Sequence, residues 1–166
     1  MNITILIIEA LAFAALFTMA VFAMARNKES TAYIHNCPPD IQEEYFKTRP
    51  RKDVTYQSKK VIFTKGLGVL FFTLILAACA YFAGAKNFWQ GFFVAFGLMV
   101  WIGMYDTFFL DWVLFANMKY FRLPGTEHMD RAYHQKWFHL KGMLFPGVVF
   151  ALIPAALVGW IITWIA

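Results

Sequence analysis

The side chains that could carry chemistry are concentrated in one stretch of the chain, residues 105–139. It begins with Tyr105, Asp106 and Asp111 inside an apolar run, and it contains three of the four histidines. Carboxylates and imidazoles are the usual donors and acceptors of acid–base chemistry. Ionisable residues inside an apolar membrane segment usually face the interior of a helix bundle or a water-filled cavity. We therefore expect a polar and aromatic site here.

The two carboxylates are five residues apart. On an α-helix that spacing places them about 140° apart around the axis. We therefore expect no close pair of carboxylates on one face. Asp106 lies deeper in the apolar run and is the better candidate for a buried functional group. Asp111 is expected to pair with a cation of the following connector, such as Arg122 or Lys119.

The histidines do not have the spacing of a helical zinc pair. His128, His134 and His139 are six and five residues apart, whereas two imidazoles that share one ion on a helix are four apart. A metal site would need a carboxylate, one or two of these histidines and a contribution from the first connector. The sequence does not identify a cofactor. The candidate metal ligands are His35, His128, His134, His139 and Asp106.

A helix is expected to follow the turn at Pro124 and Gly125. Thr126 is a suitable N-cap, and an acidic first turn follows it. The pattern predicts a helix over 127–141 in which Asp130 faces His134.

A wider set of polar residues could contact a ligand. Glu9 joins it because it is a carboxylate within the first apolar segment, where small residues allow close helix packing. The candidate ligand-binding residues are Glu9, Tyr105, Asp106, Asp111, Arg122, His134 and His139.

These residues must be positioned by strongly apolar elements, since 60% of the chain is hydrophobic and 19% is aromatic. A soluble chain of this length would have to expose much of that surface to water. Each of four apolar segments exceeds the roughly 20 residues that cross a bilayer. They are, approximately, residues 3–25, 61–84, 88–115 and 140–165. The sequence predicts an all-α integral membrane protein, a single domain over 1–166 built as a four-transmembrane-helix bundle with short cytoplasmic surface helices.

The net charge of +5 comes from the connectors and is not interpreted as a nucleic-acid signal. Lysine and arginine are concentrated in or beside the connectors 26–60 and 116–139, whereas the short turn between the second and third segments has only Lys86. By the positive-inside rule both long connectors are cytoplasmic. We therefore predict both termini outside, in a bacterial cytoplasmic membrane.

The first connector contains one amphipathic segment. Ile41, Tyr45 and Phe46 lie on one side of a short helix that starts near Pro39. Such a helix is expected to lie on the inner membrane surface.

No enzyme signature is present: the chain has no Walker motif, no GxSxG and no HExxH. Three functions stay open. The first is a ligand-binding or transport-type module, with membrane lipids as partners, as a homo-oligomer or as the membrane subunit of a larger complex. The second is a membrane-embedded enzyme, possibly metal-dependent, that acts on an inner-leaflet lipid or isoprenoid through Asp106 and either His134 or His139. The third is a structural or assembly factor without a ligand.

Overall fold

A computed structural model describes residues 1–51 and 59–166, without the side chains of residues 59–62 and 65. The predicted connector 26–60 is thus described only in part, because residues 52–58 lie outside the described residues. The ordered elements in the described ranges are helical, and no strand occurs there. The longer helices are α1 (Ile3–Arg26), α4 (Lys59–Phe82), α5 (Phe88–Tyr105) and α8 (Val148–Ile165), and the shorter ones are α2 (Thr31–His35), α3 (Pro39–Phe46), α6 (Asp130–Tyr133) and α7 (Lys136–Gly142).

Three of the described helical stretches are long and apolar enough to cross a membrane: Ile3–Arg26, Phe88–Phe115 and Asp130–Ile165. The third is not one continuous helix, because it is interrupted between Tyr133 and Lys136 and bends at Phe145. The 24 residues of the first span about 36 Å at about 1.5 Å per residue, which exceeds a hydrocarbon layer of about 30 Å. A shorter apolar helix, Gly66–Phe82, lies within α4. The prediction of an all-helical protein with membrane-length helices is confirmed. A fourth span and insertion into a bilayer stay predictions.

Helices α5 and α8 pack closely against each other at two glycines, which have no side chain. A Cβ atom at Gly91 would lie 2.8 Å from Cγ1 of Ile162, and one at Gly159 would lie 2.8 Å from the ring of Phe88. Without a hydrophobic driving force between helices in lipid, such close approach is a main source of helix association. These glycines thus fix the distance between α5 and α8.

The N-terminus, the α4–α5 turn and the C-terminal end of α8 lie at one end of the bundle. The backbone N–H of Asn2 donates to the carbonyl of Ala83 at 2.8 Å. The rings of Phe88 and Trp160 meet edge to face, with centroids 5.8 Å apart. The two long connectors therefore leave from the opposite end.

At that opposite end, residues 27–51 and 116–135 fold together into a small domain, which we call the cap. It consists of α2, α3, a 3-10 turn (Lys119–Phe121) and α6. The cap core also receives the ends of α1 and of the α5 extension, and its buried residues are Ala25, Tyr33, Ile34, Cys37, Ile41, Tyr45, Phe115, Phe121, Leu123 and Tyr133.

The amphipathic segment of the first connector is helix α3, but protein covers its apolar side. Ile41 is fully buried and Tyr45 is 4% exposed, both within the cap core. Gln135 in the second connector donates to the carboxylate of Asp40 at 2.7 Å, which fastens α3 to that connector. The prediction that this side lies on the membrane surface is therefore wrong for Ile41 and Tyr45.

The predicted helix over 127–141 is also wrong as one continuous element. Helix α6 covers only Asp130–Tyr133, and α7 starts at Lys136 after a break. Thr126 is buried and does not cap a helix: its hydroxyl donates to the carbonyl of Leu123 at 2.9 Å and shares a hydrogen bond with the Tyr133 hydroxyl at 2.7 Å. Because these bonds tie the turn to the cap core, the chain does not continue as a helix from Thr126.

Helix α5 continues beyond Tyr105 as a π-helical segment, Asp106–Phe115. The backbone N–H of Ala116, for example, donates to the carbonyl of Asp111, five residues earlier. A second π-helical turn, Met143–Gly147, joins α7 to α8. It contains non-helical backbone at Phe145, directly before Pro146, so α7 and α8 are two helices with a bend between them.

Candidate functional site

A cavity of about 690 Å³ lies between the bundle and the cap. This is within the usual range of small-molecule sites, roughly 300–1,000 Å³. Its wall comes from α1, α5, the π-helical segment, the α7–α8 bend and α8, with α2 of the cap. The apolar part of the wall includes Phe17, Val21, Met24, Met99, Val100, Ile102, Leu110, Phe115, Phe121, Phe138, Met143, Phe145, Val148 and Ala151, and the polar part includes His35, Asn36, Asp106, Thr107, Asp111, His139 and Lys141.

Asp106 and Asp111 both line this cavity. The prediction that they lie on different sides of the helix is wrong, because it assumed α-helical geometry. In a π-helix the backbone hydrogen bonds join residues five apart, so residues with that spacing lie about one turn apart on the same face. Asp106 is close enough to interact electrostatically with Asp111.

Asp111 forms a hydrogen-bonded pair with His139, and not with Arg122 or Lys119. Oδ2 of Asp111 lies 2.8 Å from Nδ1 of His139, and the two side chains are 20% and 8% exposed, respectively. A carboxylate at Nδ1 fixes the orientation of the ring and places the Nδ1 proton between the two groups.

The other ring nitrogen of His139, Nε2, is buried and has no hydrogen-bond partner among the described residues. The imidazole contacts two aromatic rings, Phe115 and Phe138, in edge-to-face geometry at centroid distances of 5.4 and 5.1 Å. Buried polar atoms in folded proteins nearly always have a partner. The Nε2 atom of His139 is thus an exception, and protein atoms enclose it.

Asp106 has neither an ion pair nor a side-chain hydrogen bond within the described ranges. It is partly buried and interacts electrostatically with His139 as well as with Asp111. Its oxygens are therefore available to a molecule in the cavity.

His35 brings a second imidazole to the cavity wall from the cap. Helix α2 is capped by Ser30, whose side chain accepts from the N–H of Tyr33 at 3.1 Å. Tyr33 points into the cap core, where its hydroxyl donates to the carbonyl of Phe121. Burial raises the pKa of the Tyr33 phenol far above its usual value, so it stays a neutral donor. His35 lines the cavity, and its Nε2 is buried without a partner.

Arg122 belongs to the cap and not to the cavity wall. Its guanidinium lies 3.9 Å from the ring centroid of Tyr133, donates to the carbonyl of Ala116 at 2.8 Å and pairs with Asp130 at 3.0 Å. These contacts give Arg122 a structural role in tying the connector to the end of the π-helical segment.

The remaining predicted residues lie apart from the cavity. His134 is exposed and interacts through Nδ1 with the carbonyl of Asp130, and His128 is exposed. The Tyr105 hydroxyl shares a hydrogen bond with Thr18 of α1 at 2.9 Å. Glu9 lies against the thiol of Cys79 in α4. None of these four predicted residues lines the cavity.

The candidate metal ligands do not form a metal centre. Nowhere in the described ranges do three His, Cys, Asp or Glu side chains come close enough to hold one ion. His35, His139 and Asp106 line one cavity, whereas His128 and His134 are on the surface.

Several wall residues were missed by sequence reasoning, notably Phe17 and Val21 of α1, Ala151 of α8, and Lys141. Helices α1 and α8 are apolar on all sides. A cavity-facing side chain can be recognised from periodicity only when the opposite side is polar. No signal in the sequence distinguishes the wall positions of α1 and α8 from positions on the outside of the bundle.

Comparison with known protein families, with curated proteins and with solved structures finds no match to this chain. In the part of the chain that the structure describes, the fold and the site define a helical protein with membrane-length helices and a cavity that has carboxylates and imidazoles on its wall.

Proposed function

We propose that this protein is a membrane-embedded module that binds an amphipathic, membrane-soluble ligand, either for transport or as a subunit of a larger complex. The observation that carries the proposal is the composition of the cavity wall. Apolar side chains from three helices cover most of it, and a few polar groups lie among them, including the carboxylate of Asp106, which has no ion pair within the described ranges. Sites for amphipathic small molecules have this composition.

The proposal includes a four-helix arrangement in the membrane, with the cap in the cytoplasm and both termini outside. The distribution of charge supports it, because the turn at the N-terminal end of the bundle has a single basic residue, Lys86, while the connectors of the cap end have many. Single cysteines at exposed positions test it, with the native cysteines replaced. In intact cells a membrane-impermeant maleimide should label Lys86→Cys and should label Lys47→Cys only after lysis. Labelling of Lys47→Cys before lysis contradicts the topology.

Ligand binding is tested by substitution of Asp106. We expect Asp106→Asn to change which lipids co-purify with the protein in nanodiscs, as measured by mass spectrometry, while the helical circular dichroism stays unchanged. Glu43→Gln is the matched control, since Glu43 is an exposed carboxylate of the cap. If wild type and both variants retain no molecule beyond bulk lipid, the protein is not a binding module of this kind.

One observation favours an enzyme as the second candidate. Asp111 orients His139, which lines the cavity, and a carboxylate that orients an imidazole is the arrangement of a supported general base. The substrate would then be an inner-leaflet lipid or isoprenoid. Incubation of native membrane lipids with wild type and with His139→Gln, followed by lipid mass spectrometry, tests this. Turnover by wild type that His139→Gln lacks supports an enzyme, and identical lipid profiles argue against one.

A further inference from the structure

On the basis of the proposed function, we infer that the ligand of the cavity has a cationic amine head group next to an apolar tail. The inference depends on the charge balance of the cavity wall and on the hydrogen-bonding atoms that this wall leaves unpaired.

Asp106 is a carboxylate of the cavity wall without a counter-ion. Asp111 has His139 as a hydrogen-bond partner, whereas Asp106 has no ion pair within the described part of the chain. Lys141 also lines the cavity, but it is exposed and forms no ion pair there. A carboxylate among apolar side chains is costly unless a cation or a proton neutralises it. A cationic ligand would supply the missing charge.

The unpaired atoms call for hydrogen-bond donors. The carboxylate of Asp106 lines the cavity and has no hydrogen-bond donor or ion-pair partner within the described ranges. A carboxylate accepts hydrogen bonds and does not donate them. An ammonium group has three N–H donors, a hydroxyl has one and a sulfonate has none. An amine thus complements this wall better than an alcohol or an anion of the same length.

The rest of the wall suits the same ligand. Phe115, Phe138 and Phe145 line the cavity together with His139, and an aromatic ring attracts a cation that lies over its face. Aliphatic residues of α1 and α8, such as Val21 and Val148, provide an apolar surface for a tail.

The experiment compares three probes with the same dodecyl tail: dodecylamine, dodecanol and dodecanesulfonate. Each is titrated at low mole fraction into the full-length protein in phosphatidylcholine nanodiscs, and binding is measured by calorimetry. We expect dodecylamine to bind at least about tenfold more tightly than the other two, a difference of about 1.4 kcal/mol. Asp106→Asn should remove that preference, and Glu43→Gln should keep it.

A second measurement keeps the test valid if Asp106→Asn is poorly folded. Nitrogen NMR of selectively labelled histidines in wild type should show that dodecylamine shifts the signals of His35 and His139. The exposed His128 and His134 are internal controls and should not shift. Equal shifts of all four histidines would overturn a specific site for the amine.

The outcomes separate the inference from the proposed function. If dodecanol or dodecanesulfonate binds as tightly as dodecylamine, the cavity binds amphiphiles but the amine preference is wrong. If none of the three probes binds above the level of empty nanodiscs, the proposed binding function itself fails.

Discussion

A methyl group added at Gly91 tests whether α5 and α8 are as close as the structure has them. The Cβ atom of Gly91→Ala would lie 2.8 Å from Cγ1 and 3.0 Å from Cβ of Ile162, and 3.2 Å from the carbonyl oxygen of Val158. Two of these atoms belong to the backbone or lie next to it, so a rotamer change of Ile162 cannot relieve the contact. The helices must separate.

Two opposing effects set the change in the free energy of unfolding that Gly91→Ala causes. Overpacking of this kind costs about 1–3 kcal/mol, and replacement of glycine by alanine in a helix gains about 1 kcal/mol. Gly97, also in α5, is the matched control, because a Cβ atom there would meet nothing within 4 Å. We expect Gly91→Ala to be less stable than Gly97→Ala by about 1–3 kcal/mol. Both variants gain helix propensity, but only Gly91→Ala introduces an overpacked contact.

Reversible unfolding in mixed micelles, with increasing fractions of SDS and circular dichroism as the readout, measures both variants against wild type. The reasoning is refuted if the free energy of unfolding of Gly91→Ala equals or exceeds that of Gly97→Ala. Because α5 continues into the segment that contains Asp106, a lower stability of Gly91→Ala should be accompanied by weaker ligand binding.

Two further predictions concern the cap. Burial raises the pKa of the Cys37 thiol to about 12, against an ordinary 9.0. In a Cys79→Ala background at pH 8, iodoacetamide should therefore alkylate Cys37 at least about a thousandfold more slowly in the folded protein than after denaturation. Comparable rates in the two states would show that the thiol is not buried. Tyr133→Phe should lower the stability of the cap by about 1–3 kcal/mol, because it leaves the N–H of Leu123 and the hydroxyl of Thr126 without the Tyr133 oxygen. Faster hydrogen exchange in the cap, with unchanged exchange in α5, is the expected readout, and unchanged exchange in both would count against these bonds.

The sequence predicts the long helices well, because apolar segments of membrane length have few alternatives to a helix. It predicts the cap poorly. Thr126 has the residue type of an N-cap, yet its hydroxyl is taken by Leu123 and Tyr133, which no local pattern reveals. The apolar side of α3 at Ile41 and Tyr45 is correctly predicted, but periodicity does not say whether lipid or protein covers that side.

For the candidate site, the sequence predicts the residues but not their geometry. Asp106, Asp111, His35 and His139 were recognised as candidates by residue type and by depth in the chain, and the structure brings these four to one cavity. Their geometry was not predictable, because it depends on a change of the backbone hydrogen-bond pattern that starts at Asp106. Propensities for local structure distinguish a helix from a strand far better than one helix type from another.

The π-helical segment has a consequence for how other chains of this kind could be recognised. Four residues of an ordinary α-helix also complete about one turn. A chain with one residue fewer between its two acids could therefore present the same pair to the same cavity from a regular helix, with every later side chain offset by one position. A search for the fixed spacing of Asp106 and Asp111 would pass over such a chain, whereas a search that permits either spacing would retrieve both.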